Sequence, residues 1–333
     1  MPQKREVNNV AHTLTFREAV AEAIKEEMKR DPTVFVMGED LGKFGGSFGT
    51  TRGLLAEFGE ERIRDTPISE TAIVGFALGA AMGGMRPIAE IMRCDWMTIC
   101  MDELVNQIAK MRYMSGGRPE IHLVVRTNAE GGIGLGPQHS QSFEAWFCHI
   151  PGLRVVMPSN GYDAKGLLKS AIRGHNPVIF MEPITLLANP VTIPDEDYTI
   201  PIGKADVKKE GKNVTIVAWG TMLAKSLNAA KTLASEGIDA EVIDLRTLRP
   251  MDTETIVNSV KKTGRLVVAH EANRTGGLGA EVAATVQELA FDSLDAPIKR
   301  VATPDAMIPA NRRLEKYILP QEDKVIEAVK SIV

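Results

Sequence analysis

Asp65-Thr66-Pro67-Ile68-Ser69-Glu70 runs directly into Thr71-Ala72-Ile73-Val74-Gly75-Phe76-Ala77-Leu78-Gly79-Ala80-Ala81-Met82-Gly83-Gly84, an apolar segment of small residues. Pro67 and Ser69 favour entry into a helix, and the Ala- and Gly-rich turns allow another backbone to pack closely. Glu70 is then a carboxylate at the start of this helix. Burial disfavours its ionised form, whereas the helix N-terminus favours it. The carboxylate either anchors a buried partner or moves a proton, or it only caps the helix by accepting backbone N–H groups.

The composition is that of an ordinary globular protein. A chain of 333 residues predicts about two domains. Hydrophobic residues make up 44% and charged residues 25%, and a net charge of −4 gives no reason to expect nucleic acid or an anionic membrane as partner. No apolar run is long enough to span a bilayer. Cys94, Cys100 and Cys148 form no CxxC pair, so we expect reduced thiols in a cytoplasmic protein.

Alternating apolar runs and helical patterns predict an α/β protein. Buried strands of a parallel sheet are predicted from the short apolar runs at residues 34–37, 87–91, 121–125, 154–157 and 178–181. Thr15 and Glu18 form a capping box before the first helix, which Asp31-Pro32 should end.

The composition and periodicity of the chain change after Glu182. Residues 189–201 contain three prolines, several acids and no periodicity, which is typical of a linker. A second, smaller α/β pattern follows. The predicted organisation is a flexible tail at 1–12, a first domain at 13–188, a linker at 189–204 and a second domain at 205–333.

Two glycine-rich segments have both a functional and a structural interpretation. Gly45-Gly46-Ser47-Phe48-Gly49 matches the GxSxG pattern of serine hydrolases, but no oxyanion motif accompanies it, so a loop is favoured over a nucleophile at Ser47. Residues 131–136 suggest a phosphate-binding loop but fail the GxGxxG pattern. His139 follows that loop, and is either exposed to the crevice beyond the preceding strand or a surface histidine without a role.

Trp96 follows the predicted strand that ends near Met92. An aromatic residue there is usually part of the core, but it can also stack on a planar ring. Arg93 and Asp95 beside it indicate a site that is not wholly dry. His139, His149, His175 and His270 do not fall at metal-ligand spacing with the cysteines, so no structural zinc is expected.

Longer motifs reveal a family resemblance over nearly the whole chain after the tail. The chain resembles the β subunits of the thiamine-diphosphate-dependent decarboxylase component of 2-oxo acid dehydrogenase complexes. The motifs that carry the resemblance are Asp65 to Glu70, Arg86 to Ile91, Arg112 to Gly117, Gln138 to Gln141, His149 to Leu153, Tyr162 to Leu168 and Asp244 to Arg246. The resemblance implies a transketolase-like pyrimidine-binding domain, with a parallel sheet covered by helices on both faces. A smaller α/β transketolase C-terminal domain would follow.

The resemblance also implies roles for individual residues. Glu70 would hydrogen-bond a ring nitrogen of the cofactor's aminopyrimidine and so promote loss of the thiazolium proton. Trp96 would stack on the aminopyrimidine, although the family usually has phenylalanine or tyrosine there, and Met92 would lie in the same wall. His139 would donate a proton to the lipoyl sulfur or position the lipoyl arm.

Cofactors and partners follow from the same resemblance. The chain contains no Gly-Asp-Gly sequence, so Mg²⁺ and the cofactor diphosphate would be held by an α subunit in an α2β2 heterotetramer. A potassium site, mostly of backbone oxygens, would be formed by Leu123, Ala171, Ile172, Gly174 and Asn176, with Gly174 replacing a frequent acidic residue.

The implied reaction is decarboxylation of a 2-oxo acid, or cleavage of acetoin, followed by acyl transfer to a lipoyl-bearing acyltransferase. Pyruvate or acetoin is favoured over branched-chain 2-oxo acids. A non-catalytic scaffold subunit that docks the acyltransferase core is the alternative from another class.

Overall fold

The first helix of the protein begins where its capping box predicts. In the computed structural model, which describes residues 11–333, the Thr15 hydroxyl accepts from the Glu18 backbone N–H at 3.4 Å and the Glu18 carboxylate accepts from the Thr15 N–H at 2.7 Å. The helix ends at Arg30, because Asp31 has extended backbone angles before Pro32. Both ends of the helix are therefore confirmed.

Helices and strands alternate through most of the chain, as predicted. The α-helices are α1 Phe16–Arg30, α2 Leu54–Phe58, α3 Glu70–Met82, α4 Ala109–Met114, α5 Glu144–Cys148, α6 Gly161–Arg173, α7 Thr221–Ser235, α8 Thr253–Thr263, α9 Leu278–Ala290, α10 Arg312–Ile318 and α11 Glu322–Lys330. The strands are β1 Ala11–Thr15, β2 Val34–Gly38, β3 Ile63–Asp65, β4 Arg86–Arg93, β5 Val124–Ala129, β6 Arg154–Val156, β7 Val178–Pro183, β8 Pro190–Pro194, β9 Asp206–Lys209, β10 Val214–Ala218, β11 Ala240–Asp244, β12 Thr247–Arg249, β13 Leu266–Asn273 and β14 Lys299–Thr303. None of the helices described is both long and apolar enough to span a bilayer.

Two segments with a regular sequence pattern fold differently from that pattern. Residues 101–114 have helical spacing, but they form a π-helix, Glu103–Ile108, followed by α4 instead of one continuous α-helix. Strand β5 begins at Val124 instead of residue 121, because Ile121 to Leu123 form a tight turn in which the Leu123 N–H donates to the Ile121 carbonyl at 3.0 Å.

Within residues 11–333, the first sheet contains seven strands in the order β12-β6-β7-β5-β4-β2-β3. All pairs are parallel except β12 with β6. Helices α1 and α6 cover one face, and α3, the π-helix and α4 cover the other. Because both faces are buried, the strands are continuous apolar runs rather than alternating ones.

The second sheet contains five strands in the order β14-β13-β10-β11-β9, with β9 antiparallel at one edge. Helices α7 and α11 pack on one face, and α8 and α9 pack on the other. This sheet is the smaller α/β unit that the sequence predicts.

The predicted tail and linker contain a strand pair. Ala11 to Thr15 pairs antiparallel with Pro190 to Pro194, and the two form a separate small sheet. Ala11 and His12, the last residues of the predicted tail, belong to β1, and residues 1–10 lie outside the described range. The linker prediction misses β8 because the pairing partner of this segment lies almost at the other end of the chain.

Strand β12 connects the two halves of the protein. Thr247 to Arg249 follow the second half's β11 but pair with β6 at the edge of the first sheet. The first sheet therefore depends on residues from beyond the predicted boundary.

A buried ion row crosses three adjacent strands of the first sheet. Arg126 on β5 lies directly opposite Glu90 on β4, and its side chain also reaches Glu182 on β7, two residues beyond its register partner Phe180. Its Nη1 contacts Glu90 Oε2 at 2.7 Å, and its Nε and Nη2 contact the two Glu182 oxygens at 2.7 and 3.0 Å. All three residues are buried. One guanidinium thus satisfies two carboxylates that would otherwise lie uncompensated in the sheet.

A buried contact between Trp219 and Glu144 joins the two halves of the protein. The indole N–H of Trp219, directly after β10, donates to Glu144 Oε1 at 3.3 Å, and the Trp219 ring stacks on His270 with centroids 5.0 Å apart. Burial raises the pKa of Glu144 to about 7. Burial therefore stabilises the neutral form of the Glu144 carboxyl group relative to its ionised form.

We expect Arg126→Met to lower the free energy of unfolding by about 3–5 kcal/mol, because it leaves two buried carboxylates without a counter-charge. Arg64→Met is the matched control, since Arg64 is half exposed and pairs with an exposed Glu61; it should cost less than about 1 kcal/mol. Denaturant unfolding measures both variants. Equal losses would show that the ion row contributes no more than a surface pair.

We expect Glu144→Gln to weaken the pH dependence of stability. The ordinary pKa of this group is 4.5 and the folded value is about 7, so between these values the folded chain binds more protons than the unfolded chain. The free energy of unfolding therefore falls as pH rises through this window, with a contribution of up to about 3 kcal/mol from this group. Unfolding measured from pH 5 to 8 should show a shallower slope for Glu144→Gln, whereas the exposed control Glu288→Gln should keep the wild-type slope.

Candidate active site

The candidate site lies at the carboxyl ends of the adjacent parallel strands β2, β4 and β5. Strand β2 leads into Glu39, β4 into the turn that carries Trp96, and β5 into the glycine-rich loop before His139. Helix α3, which begins at Glu70, packs on the same sheet. Ligands of α/β sheets bind at this end of the strands, so the topology alone brings these side chains to one place.

Glu70 is the first residue of α3 and is only 7% exposed. Among residues 11–333 its carboxylate accepts no hydrogen bond, so the structure shows no cap interaction for it. The Thr71 hydroxyl donates to the Ile99 carbonyl at 3.2 Å and holds the helix start against the end of the Trp96 turn. The Glu70 carboxylate therefore keeps its capacity to accept a hydrogen bond from a group outside this chain.

Glu39 lies near Glu70 and was not among the predicted site residues. Burial and then the charge of Glu70 raise the pKa of Glu39, with smaller contributions from Asp40 and Glu90. Its position directly after β2 is the signal that could have identified it, because a polar residue at a strand's carboxyl end faces the crevice.

Trp96 and His139 are in contact. Their ring centroids are 5.1 Å apart and the ring planes meet at 86°, so the edge of one ring faces the other. Trp96 belongs to a 3-10 turn, Cys94–Thr98, and both side chains are half-buried. The structure thus joins two residues that the sequence analysis selected separately.

Asp95 holds the His139 segment against the Trp96 turn. Its Oδ1 accepts from the backbone N–H of Gln141 at 3.2 Å and from the Gln141 side-chain amide at 3.0 Å. The Cys94 thiol donates to the Gln141 carbonyl at 3.0 Å. Arg93 adds a bond from Nη2 to the Glu130 carbonyl at 2.7 Å. The position of His139 is therefore set largely by Asp95 and its two neighbours.

The glycine-rich loop uses its amide groups to bind carboxylates of the second half of the chain. The Gly131 N–H donates to Glu271 at 2.6 Å, and those of Gly132 and Gly134 donate to the two oxygens of Glu315 at 2.8 Å each. Gly132 and Gly134 have φ of +100° and +79°, which favour glycine. A phosphate would have to displace Glu315, so the loop positions His139 rather than binding an anion.

Glu130, in the first half of the chain, also bonds to the second half through its carboxylate. Its carboxylate accepts from the Thr221 backbone N–H at 3.1 Å and from the Thr221 hydroxyl, at the N-terminus of α7. Burial and then the charge of Glu271 raise the pKa of Glu130 well above its ordinary value. Its φ of +67° is uncommon for a residue with a side chain.

The other predicted site residues lie in two further places. Met92 is half-buried near the end of β4, four residues before Trp96. Ser47 is exposed in a loop after β2 and makes no hydrogen bond to a histidine within the described residues. The loop interpretation of Gly45 to Gly49 fits this geometry, because Gly45, Gly46 and Gly49 all have φ near +80°.

The residues expected to form a potassium site lie directly before β5, in the last turn of α6 and in the turn that leads into β7. Most of their oxygens already accept hydrogen bonds. Arg86 Nη1 donates to Ile172 O at 2.8 Å, His122 Nδ1 contacts Gly174 O at 2.6 Å, and Arg112 Nη1 donates to Asn176 Oδ1 at 2.7 Å. Leu123 O accepts from Val178 N and Ala171 O from Gly174 N. A potassium ion would therefore compete with two arginines and a histidine.

Comparison with protein families matches both halves of the chain. The transketolase pyrimidine-binding domain matches residues 12–189, and the transketolase C-terminal domain matches residues 203–325. The fold also resembles a solved structure described as a split-gene transketolase, an inactive beta4 tetramer, with a TM-score of 0.78 and 26% identity over 96% of this chain and 98% of that one. The chain belongs to the transketolase-like family of thiamine-diphosphate-dependent enzymes.

More similar relatives place the chain within that family. It is 46% identical to the pyruvate dehydrogenase E1 component subunit beta of Rhizobium meliloti (strain 1021), over 96% of this chain and 70% of that protein. It is 45% identical to the 2-oxoisovalerate dehydrogenase subunit beta of Bacillus subtilis (strain 168), over 96% and 98%. It is 44% identical to the acetoin:2,6-dichlorophenolindophenol oxidoreductase subunit beta of Cupriavidus necator, over 96% and 98%. The expected relationship to 2-oxo acid dehydrogenase β subunits is thus confirmed.

We expect Glu315→Gln to loosen the glycine-rich loop, because the new amide group would face a backbone N–H that now donates to a carboxylate oxygen. A hydrogen bond to a charged group contributes about 1.5–3 kcal/mol. We expect the free energy of opening the loop to fall by an amount in that range. Hydrogen exchange should speed up at Gly132 and Gly134 while the β10 amides keep their protection. The exposed control Glu327→Gln should leave both regions unchanged. Unaltered exchange in the loop would show that Glu315 does not hold it.

Proposed function

We propose that this chain is the catalytic β subunit of a thiamine-diphosphate-dependent decarboxylase component, which acts on a 2-oxo acid and transfers the acyl group to a lipoyl arm. The observation that carries the proposal is Glu70. It is a buried carboxylate at a helix start, without a partner among residues 11–333, in the position that the family resemblance assigns to the aminopyrimidine.

The residues present fit this cofactor. Glu70 offers a hydrogen-bond acceptor to a ring nitrogen, and the helix start favours its negative charge. Trp96 offers an aromatic surface near the same helix start, and Met92 an adaptable apolar wall. When bound, thiamine diphosphate supplies the carbon nucleophile that attacks the 2-oxo group. Glu70 would hold the proton at the ring nitrogen and so set the tautomer of the aminopyrimidine.

His139 is proposed to act on the lipoyl arm. Its edge-on contact with Trp96 and the bonds of Asp95 to Gln141 restrain the ring, while part of its surface stays accessible, which supports a place at the mouth of the site. An imidazole near neutral pH can give a proton to a sulfur leaving group. The partner for this step is a lipoyl-bearing acyltransferase.

A second subunit would complete the site. Apolar side chains near Glu70 are strongly exposed: Ile68 is 81% exposed, Phe76 72% and Ile99 56%. Large exposed apolar groups beside a site are typical of a surface that a partner covers. We infer that an α subunit covers this surface in an α2β2 heterotetramer and holds Mg²⁺ and the diphosphate, since the chain has no Gly-Asp-Gly motif. A potassium ion at the expected site would have to displace the Arg86, Arg112 and His122 donors.

The substrate is proposed to be pyruvate or acetoin. The identities to pyruvate, acetoin and 2-oxoisovalerate relatives are 46, 44 and 45%, so overall similarity does not choose among them. The proposal rests on residues 99–102 and 111–114, which resemble acetoin-type sequences more than branched-chain ones.

We expect Glu70→Gln to lower kcat at least about 100-fold, because the amide cannot take up the charge and proton role of the carboxylate. The chain would be captured with its partner from native lysate and assayed for dye reduction that requires thiamine diphosphate and magnesium, with pyruvate, acetoin and branched-chain 2-oxo acids in parallel.

Glu61→Gln is the control, since Glu61 is 92% exposed and lies outside the site. Size-exclusion chromatography would confirm that both variants keep the partner. Near-normal turnover of an assembled Glu70→Gln complex would remove Glu70 from the mechanism. A chain that neither binds a partner nor needs the cofactor would overturn the proposed function.

A further inference from the structure

Three side chains with metal-ligand atoms meet at the edge of the first sheet opposite the candidate active site. Glu120 and His122 precede β5, and His175 lies in the turn between α6 and β7. Strands β5 and β7 are parallel neighbours, with Val124 opposite Val178, so the segments before the two strands lie side by side. Sequence positions more than 50 residues apart are thereby brought into contact.

The three ligand atoms converge on one point. Glu120 Oε2 lies 3.0 Å from His122 Nε2 and 2.9 Å from His175 Nδ1. All three atoms lie within 4.8 Å of one another. In a tetrahedral zinc site with bonds of about 2.1 Å, ligand atoms are separated by roughly 3.4 Å. A shift of about half an ångström in the half-exposed Glu120 side chain would bring its two distances to the histidine nitrogens to that spacing.

The hydrogen bonding of His122 leaves Nε2 as the ligand atom. Its Nδ1 lies 2.6 Å from the Gly174 carbonyl oxygen, which can only accept, so Nδ1 carries a proton. Arg86 Nη1 is also 2.9 Å from Nδ1, but its two hydrogens can be taken up by Ile172 O at 2.8 Å and Gly174 O at 3.5 Å, and the Arg86 charge is paired with Asp31 at 3.2 Å. A backbone carbonyl that fixes the tautomer in this way is the usual outer shell of a metal-binding histidine.

This arrangement favours a cation between the side chains. With Nδ1 facing the Gly174 carbonyl, the Nε2 of His122 is directed at the Glu120 carboxylate 3.0 Å away. The Nδ1 of His175 lies 2.9 Å from the same carboxylate oxygen and can supply a second nitrogen ligand.

We propose that Glu120, His122 and His175 bind a divalent transition metal, with Zn²⁺ as the ion tested first and water in the fourth position. Two imidazoles and one carboxylate suit Zn²⁺ and disfavour K⁺ and Mg²⁺, which prefer oxygen ligands. The spacing of the histidines relative to the cysteines does not predict this site, because the cluster contains no cysteine. The proposed ion would fasten the turn before β5 to the turn before β7.

The test measures Zn²⁺ binding by the full chain after removal of any histidine tag and treatment with a chelator. Isothermal titration at pH 7.5 should give one site per chain, and His175→Ala should weaken binding at least tenfold. His175 is suited to this test because it is 58% exposed, so its removal should leave the fold intact. Glu120→Gln provides a second variant with little change in shape.

His149→Ala is the matched control, because His149 is also an exposed histidine but lies away from the cluster. It should bind Zn²⁺ like the wild type. Added Zn²⁺ should raise the Tm of wild type and control and leave that of His175→Ala unchanged. Co²⁺ in place of Zn²⁺ should give a visible absorption band that both cluster variants lose. Absence of a site in the wild type, or equal affinity in all four proteins, would overturn the proposal.

Discussion

The buried ion row in the middle of the first sheet is the constraint on which the site above it depends. Arg126 bonds to a carboxylate on each neighbouring strand, Glu90 directly opposite and Glu182 two residues further along β7, so one guanidinium holds three parallel strands in their relative positions. A slip of one residue would leave two carboxylates unpaired in the interior and is strongly disfavoured. This fixed register determines where β4 and β5 end, and those ends position Trp96 and His139.

Beyond the ion row, at the carboxyl ends of the strands, carboxylates are again paired with donors, which here are backbone N–H groups. Glu271 and Glu315 come from the second half of the chain and bind loop N–H groups that a nucleotide-binding protein would offer to phosphate. Glu130 binds in the reverse direction, at the N-terminus of α7. The loop that carries the histidine is therefore held from two sides. The proposed catalytic carboxylate, Glu70, is by contrast left without a partner within the described residues.

Local patterns in the sequence were sufficient for most helices and buried strands, and for the helix start at Glu70. Apolar runs identify strands because both sheet faces are covered, and the capping box marks α1. The pairing of β1 with β8 was missed because neither strand has a periodic pattern of its own. Asp95, Glu315 and the Glu120 cluster were missed because each depends on contacts between distant residues, which spacing along the chain does not encode.

Strand β12 has a consequence for attempts to divide the protein. In sequence the chain has two units, but in hydrogen bonding the edge of the first sheet is closed by Thr247 to Arg249 from the second. A fragment that ends within the apparent linker would expose the edge of β6 with unpaired N–H and C=O groups, which favours self-association. Exchange of domains between related enzymes should therefore keep residues 247–249 with the first unit. The family domains meet between residues 189 and 203, whereas the hydrogen-bonded edge of the first sheet extends to Arg249.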